Sequence, residues 1–302
     1  MHKLFRVVLL LILGWFLTGG SALVAQAQPA SQASDEKIDT SAISKIRDEG
    51  MNRSQAMELL SYISDVYGPR LTGSPGYKRA AEWAKEKLAS WGLENSHLEA
   101  WGPFGRGWSL KRYSANVIGS QVFPLISYPK AWSPGTGGTV TADVVYFDAR
   151  TDSEVQTYQG KLKGKFVLFS DPREVKAHFD PEGTRDADST LLKLANADMP
   201  QGRGGRGRRG QMAPDQKARA LADFHKQELC EKEGAAAILT ISRGDGGSIF
   251  VQQASLTYHP DTPFTRRLSV WNANAPKIAP QIMVGAEHYN RMVRMLQKGE
   301  HL

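Results

Sequence analysis

Cysteine is almost absent from this sequence, because the 302 residues contain only Cys230. A disulfide within the chain is therefore excluded, and no cysteine lies near the start, where a lipoprotein anchor would need one. The sequence also has no H-E-x-x-H and no G-x-S-x-G motif, which argues against two common hydrolase active sites. Its longest early apolar run, about eleven residues, is much shorter than the ~20 that a membrane-spanning helix needs.

The excess of positive charge is local. The 38 Lys and Arg residues exceed the 31 Asp and Glu residues, for a formal charge of +7. Lys3 and Arg6 lie in the first apolar segment, and four more arginines lie in one Gly/Arg tract, so the rest of the chain carries only about +1. The basic pI is therefore no evidence for a nucleic-acid partner, and we expect none.

The first 27 residues have the pattern of a secretory signal peptide. Lys3 and Arg6 precede the apolar run Val7 to Leu17, and Ala25-Gln26-Ala27 is a small-residue cleavage site. Residues 28–39 are polar and typical of a flexible tail. We therefore expect an exported protein, periplasmic or extracellular, without a stable membrane anchor.

Residues 40–120 have the pattern of helices followed by strands. Asn52 and Gln55 resemble a capping box, and Ser74-Pro75 is a strong helix start. An apolar stripe from Tyr77 to Trp91 predicts the helix that follows, with Gly92 just past its end. Strands are predicted at His97–Trp101 and at Tyr113–Ile118.

Residues 121–302 change to strands alternating with helices, which predicts a small α/β domain. The predicted strands are Val140–Phe147, Lys165–Phe169, Ala235–Ile241 and Gln281–Val284. The predicted helices are Asp215–Lys232 and Glu287–Gln297. Between them, residues 196–214 are too rich in Gly and Arg to pack and are expected to be a disordered loop.

Several segments carry a family resemblance. Gly68-Pro-Arg-Leu-Thr-Gly-Ser-Pro-Gly76 and the helix ending Leu88-Ala-Ser-Trp-Gly-Leu93 resemble the entry to two-zinc exopeptidases, the secreted aminopeptidases and carboxypeptidase Q-like enzymes. Three stretches resemble a protease-associated (PA) domain, namely 160–168, 233–239 and 279–284. Three others resemble the carboxypeptidase Q-like branch, namely 172–176, 242–247 and 287–291.

The resemblance implies an α/β fold: an incomplete N-terminal part of a zinc-exopeptidase domain at 40–120 plus an inserted PA-like domain at 121–302. It implies hydrolysis of terminal peptide bonds in a peptide substrate, with two zinc ions and a glutamate base. Such enzymes use His-x-Asp, Asp-Asn and Glu-Glu motifs, but this sequence has no Asp-Asn and no Glu-Glu. We therefore assign no catalytic, cofactor-binding or metal residue and expect no zinc on this chain.

The remaining motifs have simpler explanations. His178-Phe-Asp180 and His259-Pro-Asp261 lack the converging carboxylates that a zinc site needs. Gly202 to Gly207 matches G-x-G-x-x-G but has no strand before it or helix after it. His225 and Glu228 share a helix face and are interpreted as a solvated pair, and Cys230 is expected to be buried.

Four aromatic residues near the predicted boundary leave two interpretations open. They either pack against the missing half of the peptidase or line the substrate cleft; they are Trp101, Phe104, Trp108 and Tyr113.

Two functions follow. The first is the N-terminal portion of an exported zinc exopeptidase, inactive as this chain because the sequence stops before the ligand motifs. The alternative is a short exported protein whose PA-like domain binds peptides or proteins. The coding sequence past codon 302 distinguishes them, because only the first predicts a continuation with those motifs.

Overall fold

The computed structural model describes residues 38–181, 183–197 and 213–302. The predicted signal peptide, residues 28–37 of the predicted tail and residues 198–212 of the predicted Gly/Arg loop lie outside these ranges. Within them, no helix is both long enough and apolar enough to cross a bilayer. The chain divides into two units, residues up to Leu59 and Leu60–Leu302.

The first unit contains helix α1 (Thr40–Asn52), whose start is capped by Asp39. The carboxylate of Asp39 accepts the backbone N–H groups of Ser41 and Ala42 at 3.0 Å each. Helix α2 (Ala56–Ser61) begins in this unit and ends in the second. The predicted capping box is wrong, because Asn52 is the last residue of α1 and the Ser54 hydroxyl accepts the Ala56 N–H at 3.4 Å instead.

Residues 60–92 form two packed helical segments. Helix α2 continues into a π-helical stretch, Tyr62–Val66, and the chain then turns at Gly68, whose φ is +56°. Helix α3 (Pro75–Ser90) starts as predicted, with the Ser74 hydroxyl accepting the Tyr77 N–H at 3.1 Å. The ring of Trp83 on α3 stacks on Tyr62 with centroids 5.8 Å apart, which joins the two segments.

A mixed sheet forms the centre of the second unit. Strands β1 (Asn116–Val117) and β2 (Phe123–Pro124) form a short antiparallel pair. The main sheet has the order β3-β7-β6-β5-β4. Its strands are β3 (Ser127–Pro129), β4 (Val144–Tyr146), β5 (Phe166–Leu168), β6 (Ala237–Ile241) and β7 (Gln281–Val284). Strands β4 to β7 run parallel, and β3 is antiparallel to β7 at the edge.

Helices cover both faces of this sheet. They are α4 (Asp152–Gln156) and α6 (Pro214–Glu233) on one face and α7 (Ala286–Gln297) on the other. The intervening helix α5 (Asp188–Ala195) is exposed along its whole length, and a 3₁₀ turn lies at Phe264–Arg266. Side chains alternate along a strand. Leu168 therefore joins the cluster containing Tyr289 and Val293 of α7, while the adjacent Val167 joins the cluster containing Cys230 of α6.

The α/β fold and the predicted strands β5 to β7 are confirmed, as are helices α6 and α7. The predicted strand Val140–Phe147 is shorter, at Val144–Tyr146. No strand forms at His97–Trp101, and only Asn116–Val117 of the second predicted strand pairs. The predicted boundary between residues 120 and 121 stays a prediction.

Candidate functional site

Three loops meet at the carboxyl edge of the parallel strands. They follow β5, β6 and β7, and comprise residues 169–176, residues 242–250 and the start of α7. In parallel α/β sheets this edge is where ligands usually bind. The same loops contain the segments 172–176, 242–247 and 287–291, so the structure brings together the three segments on which the closest family resemblance depends.

Two side chains of α7 hold the loop after β5. The buried Tyr289 hydroxyl donates to the carbonyl of Ser170 at 2.7 Å and accepts the N–H of the same residue at 2.8 Å. Burial raises the pKa of Tyr289, so the hydroxyl stays protonated and can donate. The Asn290 side chain donates to the carbonyl of Arg173 at 2.6 Å and accepts its N–H at 3.3 Å.

Arg173 in turn holds the loop after β6. Its Nε donates to the carbonyl of Ser242 at 3.0 Å, and its Nη2 donates to the carbonyl of Gly244. Glu287 accepts the N–H of Gly246 at 2.6 Å from the start of α7. All of these contacts are with backbone atoms, so we interpret the network as one that positions the loops.

Beside this network lies a cavity of about 210 Å³ at the ends of β4 and β5. It is lined by Ala149, Arg150, Phe169, Ser170, Asp171, Arg219, Asp223 and Lys226. Lys226 is 3% exposed, and its ammonium donates to the carbonyl of Phe169 at 2.8 Å. The ammonium also lies over the rings of Phe147 and Phe169, 5.1 and 4.6 Å from their centroids.

Electrostatics in this cavity are set mainly by desolvation. Burial lowers the pKa of Lys226, while Asp223, Asp171 and other nearby groups act in the opposite direction. Desolvation also raises the pKa of Asp223. Asp171 is paired with Arg219 and lies 4.0 Å from Arg150 Nε.

A second cavity, of about 300 Å³, lies between α4 and α6. His225 lines it, and its Nδ1 is 2.8 Å from Asp152 Oδ1. Glu228 also lines this cavity. The sequence pattern singled out His225 with Glu228, whereas the structure shows that the partner of His225 is Asp152.

The two His-x-Asp triplets are far from the geometry of a zinc centre. Nε2 of His178 is 3.1 Å from Asp245. Asp261 binds Lys217 at 2.8 Å and lies 3.9 Å from His259. Among the described residues, no group of three or more His, Cys, Asp or Glu side chains could hold a metal. A zinc site needs three or four converging ligands, so these residues do not fit the zinc that the family implies.

Three of the four aromatic residues singled out in the sequence contact later segments. Phe104 stacks on Trp271 with centroids 5.7 Å apart, Trp108 Nε1 donates to the carbonyl of Ser133 at 3.0 Å, and the Tyr113 hydroxyl is 2.7 Å from that of Ser127. Trp101 stays 77% exposed. Three of these residues therefore contact later segments of this chain itself, an arrangement that neither interpretation predicted.

Sequence patterns gave no indication of two buried lysines. Lys226 appears as an ordinary polar position of a helix, and Lys130 directly follows the edge strand β3. Lys130 is 7% exposed, and burial lowers its pKa to about 8. Lysines are almost always exposed, so only the three-dimensional contacts reveal these two.

Comparisons with known proteins point to one family. No family model matches the chain. Carboxypeptidase Q of Mus musculus is 28% identical over 124 residues, which are 41% of this chain and 26% of that protein. Carboxypeptidase Q of Bos taurus is 30% identical over 125 residues, which are 41% of this chain and 25% of that protein. The match thus spans about a quarter of the length of these relatives.

Solved structures give a weaker similarity. A peptidase M28 precursor from Shewanella amazonensis SB2B has a TM-score of 0.38 and 15% identity, covering 86% of this chain and 48% of that chain. BSAP, a zinc aminopeptidase from Bacillus subtilis, has a TM-score of 0.36 and 11% identity, covering 78% of this chain and 40% of that chain. Similarity at this level carries no argument about function. Over about 125 residues the chain is thus similar in sequence to carboxypeptidase Q.

Proposed function

We propose that this chain is the N-terminal portion of the scaffold of an exported zinc exopeptidase that hydrolyses terminal peptide bonds, and that it lacks peptidase activity by itself. The observation that carries the proposal is the relationship to carboxypeptidase Q. It is supported by the loop network at the carboxyl edge, where the Arg173 contacts join the three segments that resemble this branch of the family.

The proposed inactivity rests on the ligand chemistry of the described residues. The histidines of the three candidate motifs lie beside different carboxylates: Asp245 for His178, Asp152 for His225 and Asp261 for His259. Because a catalytic zinc needs three protein ligands around one point, we propose that the zinc ligands and the base of a working enzyme are supplied by other residues. Its partner would be a peptide substrate, with no role for nucleic acid.

The part of the chain from 121 to 302 is proposed to be a PA-like domain beside the substrate cleft. Its support is the sheet that β3 to β7 form with helices on both faces. Export is proposed from the signal-like first 27 residues. N-terminal sequencing of the secreted or periplasmic protein should begin at Gln28, and an intact Met1 on a cytoplasmic protein would contradict export.

Metal analysis and a peptide assay test the central proposal. We expect the purified chain to retain less than about 0.1 equivalent of zinc and to release no terminal amino acid from short peptides. A complete zinc exopeptidase serves as the positive control. A variant with His178, His225 and His259 all replaced by Ala identifies adventitious zinc. Stoichiometric zinc with peptide hydrolysis by the unsubstituted chain would overturn the proposal.

A further inference from the structure

The cavity at the ends of β4 and β5 is lined by five charged side chains, and not all of them form ion pairs with each other. Its lining includes three cations, Arg150, Arg219 and Lys226, and two carboxylates, Asp171 and Asp223. Asp171 interacts with both arginines. Lys226 and Asp223 act on each other electrostatically, but neither forms an ion pair in contact with another described residue.

Lys226 is a buried cation without a carboxylate in contact. In the ranges that the structure describes, no Asp or Glu oxygen forms an ion pair with its ammonium, which has one backbone carbonyl and two aromatic faces as neighbours. Taking an ammonium out of water costs several kcal/mol unless an anion compensates. A ligand carboxylate in the cavity would supply that anion.

Asp223 is the complementary group. It lies three residues before Lys226, so both side chains leave the same face of α6. Asp223 is exposed at the cavity, and no ion pair or hydrogen bond within the described residues engages its carboxylate. A carboxylate held there without a donor is suited to accept an ammonium group.

We propose that this cavity binds a free α-amino acid as a zwitterion, with the ligand carboxylate at Lys226 and the ligand ammonium at Asp223. Arg219 is placed to add a second donor to the carboxylate. The volume of about 210 Å³ and the apolar surface of Ala149 and Phe169 leave room for an aliphatic side chain. The inference does not rest on the proposed function, although amino acids are the products that an exopeptidase releases.

A matched set of probes tests the zwitterion. L-leucine has both charged groups, 4-methylpentanoate lacks the ammonium, and 3-methylbutylamine lacks the carboxylate. With the purified full chain, isothermal titration calorimetry and ¹⁵N chemical shifts should show saturable binding of L-leucine. Each single-charge analogue should bind at least about tenfold more weakly, because one of the two charged contacts is lost.

Variants locate the site. Asp223→Asn and Lys226→Met should each weaken L-leucine binding by about tenfold or more. Asp223 is exposed, so Asp223→Asn keeps the test valid even where Lys226→Met disturbs folding. His225→Gln, on the same helix but in the second cavity, is the control and should leave binding unchanged.

Three outcomes would overturn the proposal. The first is no binding of L-leucine up to about 10 mM, which is weaker than ordinary small-ligand sites. The second is binding of 4-methylpentanoate as tight as that of L-leucine, which would indicate a simple anion site. The third is equal loss of binding in His225→Gln. Failure of the zinc and peptidase prediction leaves these results unaffected.

Discussion

Residues 60–104 and residues 121–302 differ in how they bury their apolar side chains. The strands β5 to β7 and helix α7 enclose fully buried residues such as Val167, Leu168 and Tyr289. In residues 60–104, by contrast, only Ser74 and Ala80 are buried, although α3 has an apolar stripe. Large apolar side chains there remain exposed, including Leu60, Tyr62, Val66, Tyr77, Leu88, Trp91 and Trp101.

The sheet region buries its apolar side chains within itself, whereas the helices of residues 60–104 leave many of theirs exposed. Contiguous exposed apolar surface in a globular protein usually marks a surface that another element covers. The proposed scaffold role would account for this exposed apolar surface, because in a working exopeptidase further peptidase sequence would cover these helices. Matched substitutions in the two regions can test the comparison.

The largest expected effect compares two leucines. Leu168→Ala should lower the free energy of unfolding by about 3 kcal/mol, because a fully buried leucine leaves a cavity. Leu88→Ala, at a side chain 39% exposed, should cost less than about 1 kcal/mol. Urea denaturation of both variants measures this. An equal loss of unfolding free energy in the two variants would mean that Leu88 is buried in solution and that the comparison is wrong.

A smaller effect, opposite in sign, is expected at Lys130. Its pKa of about 8 in the folded chain lies below the ordinary 10.5, so the charged form is disfavoured by folding. Lys130→Met should therefore stabilise the protein by on the order of 1–3 kcal/mol at pH 7. Lys78→Met, at an exposed position of α3, should change stability by less than about 0.5 kcal/mol.

The pH dependence of the Lys130 effect has a defined sign. The destabilisation is complete below pH 8, and it disappears as pH rises towards 10.5, where the unfolded chain also loses its proton. The stability difference between wild type and Lys130→Met should therefore shrink from pH 7 to pH 10. A difference that stays constant over this range would contradict the burial of this ammonium.

Removing a tyrosine hydroxyl should lower the free energy of unfolding more in the sheet region than in the helical region. Tyr289→Phe removes the hydroxyl that binds both the N–H and the carbonyl of Ser170, and should cost about 2 kcal/mol. Tyr77→Phe, in the more exposed region, should cost less than about 0.5 kcal/mol. Thermal unfolding of the two variants makes the measurement. A Tyr289→Phe variant as stable as wild type would show that the loop network contributes nothing.

The sequence predicted the elements that local patterns define. Helix α6 ends at Gly234, whose φ is positive, and β6 begins three residues later at Ala237. Ser74 caps α3 as its Ser-Pro pair indicates. The edge strand β3 was missed because its three residues are ordered by pairing with β7, far along the chain. His97–Trp101 has strand-like composition but finds no pairing partner, so composition alone misled the prediction.

The candidate sites were harder to predict for the same reason. Arg173 and Asn290 are 117 residues apart in sequence, and no local pattern announces their contact. The ligand cavity depends on Lys226, whose burial is unusual for its residue type. The resemblance of the three segments was visible in the sequence, whereas their convergence required the fold.

Hydrogen exchange measured by mass spectrometry tests the regional comparison most directly. Amides of β5, β6, β7 and α7 should exchange only through global unfolding, while amides of α3 should exchange at least about 100-fold faster through local opening. Zinc added in equimolar amount should leave both rates unchanged. Equal protection of α3 and the sheet would contradict the claim that the sheet region completes its own core while α3 lacks a covering element. Strong additional protection of both on adding zinc would contradict the expected lack of zinc binding.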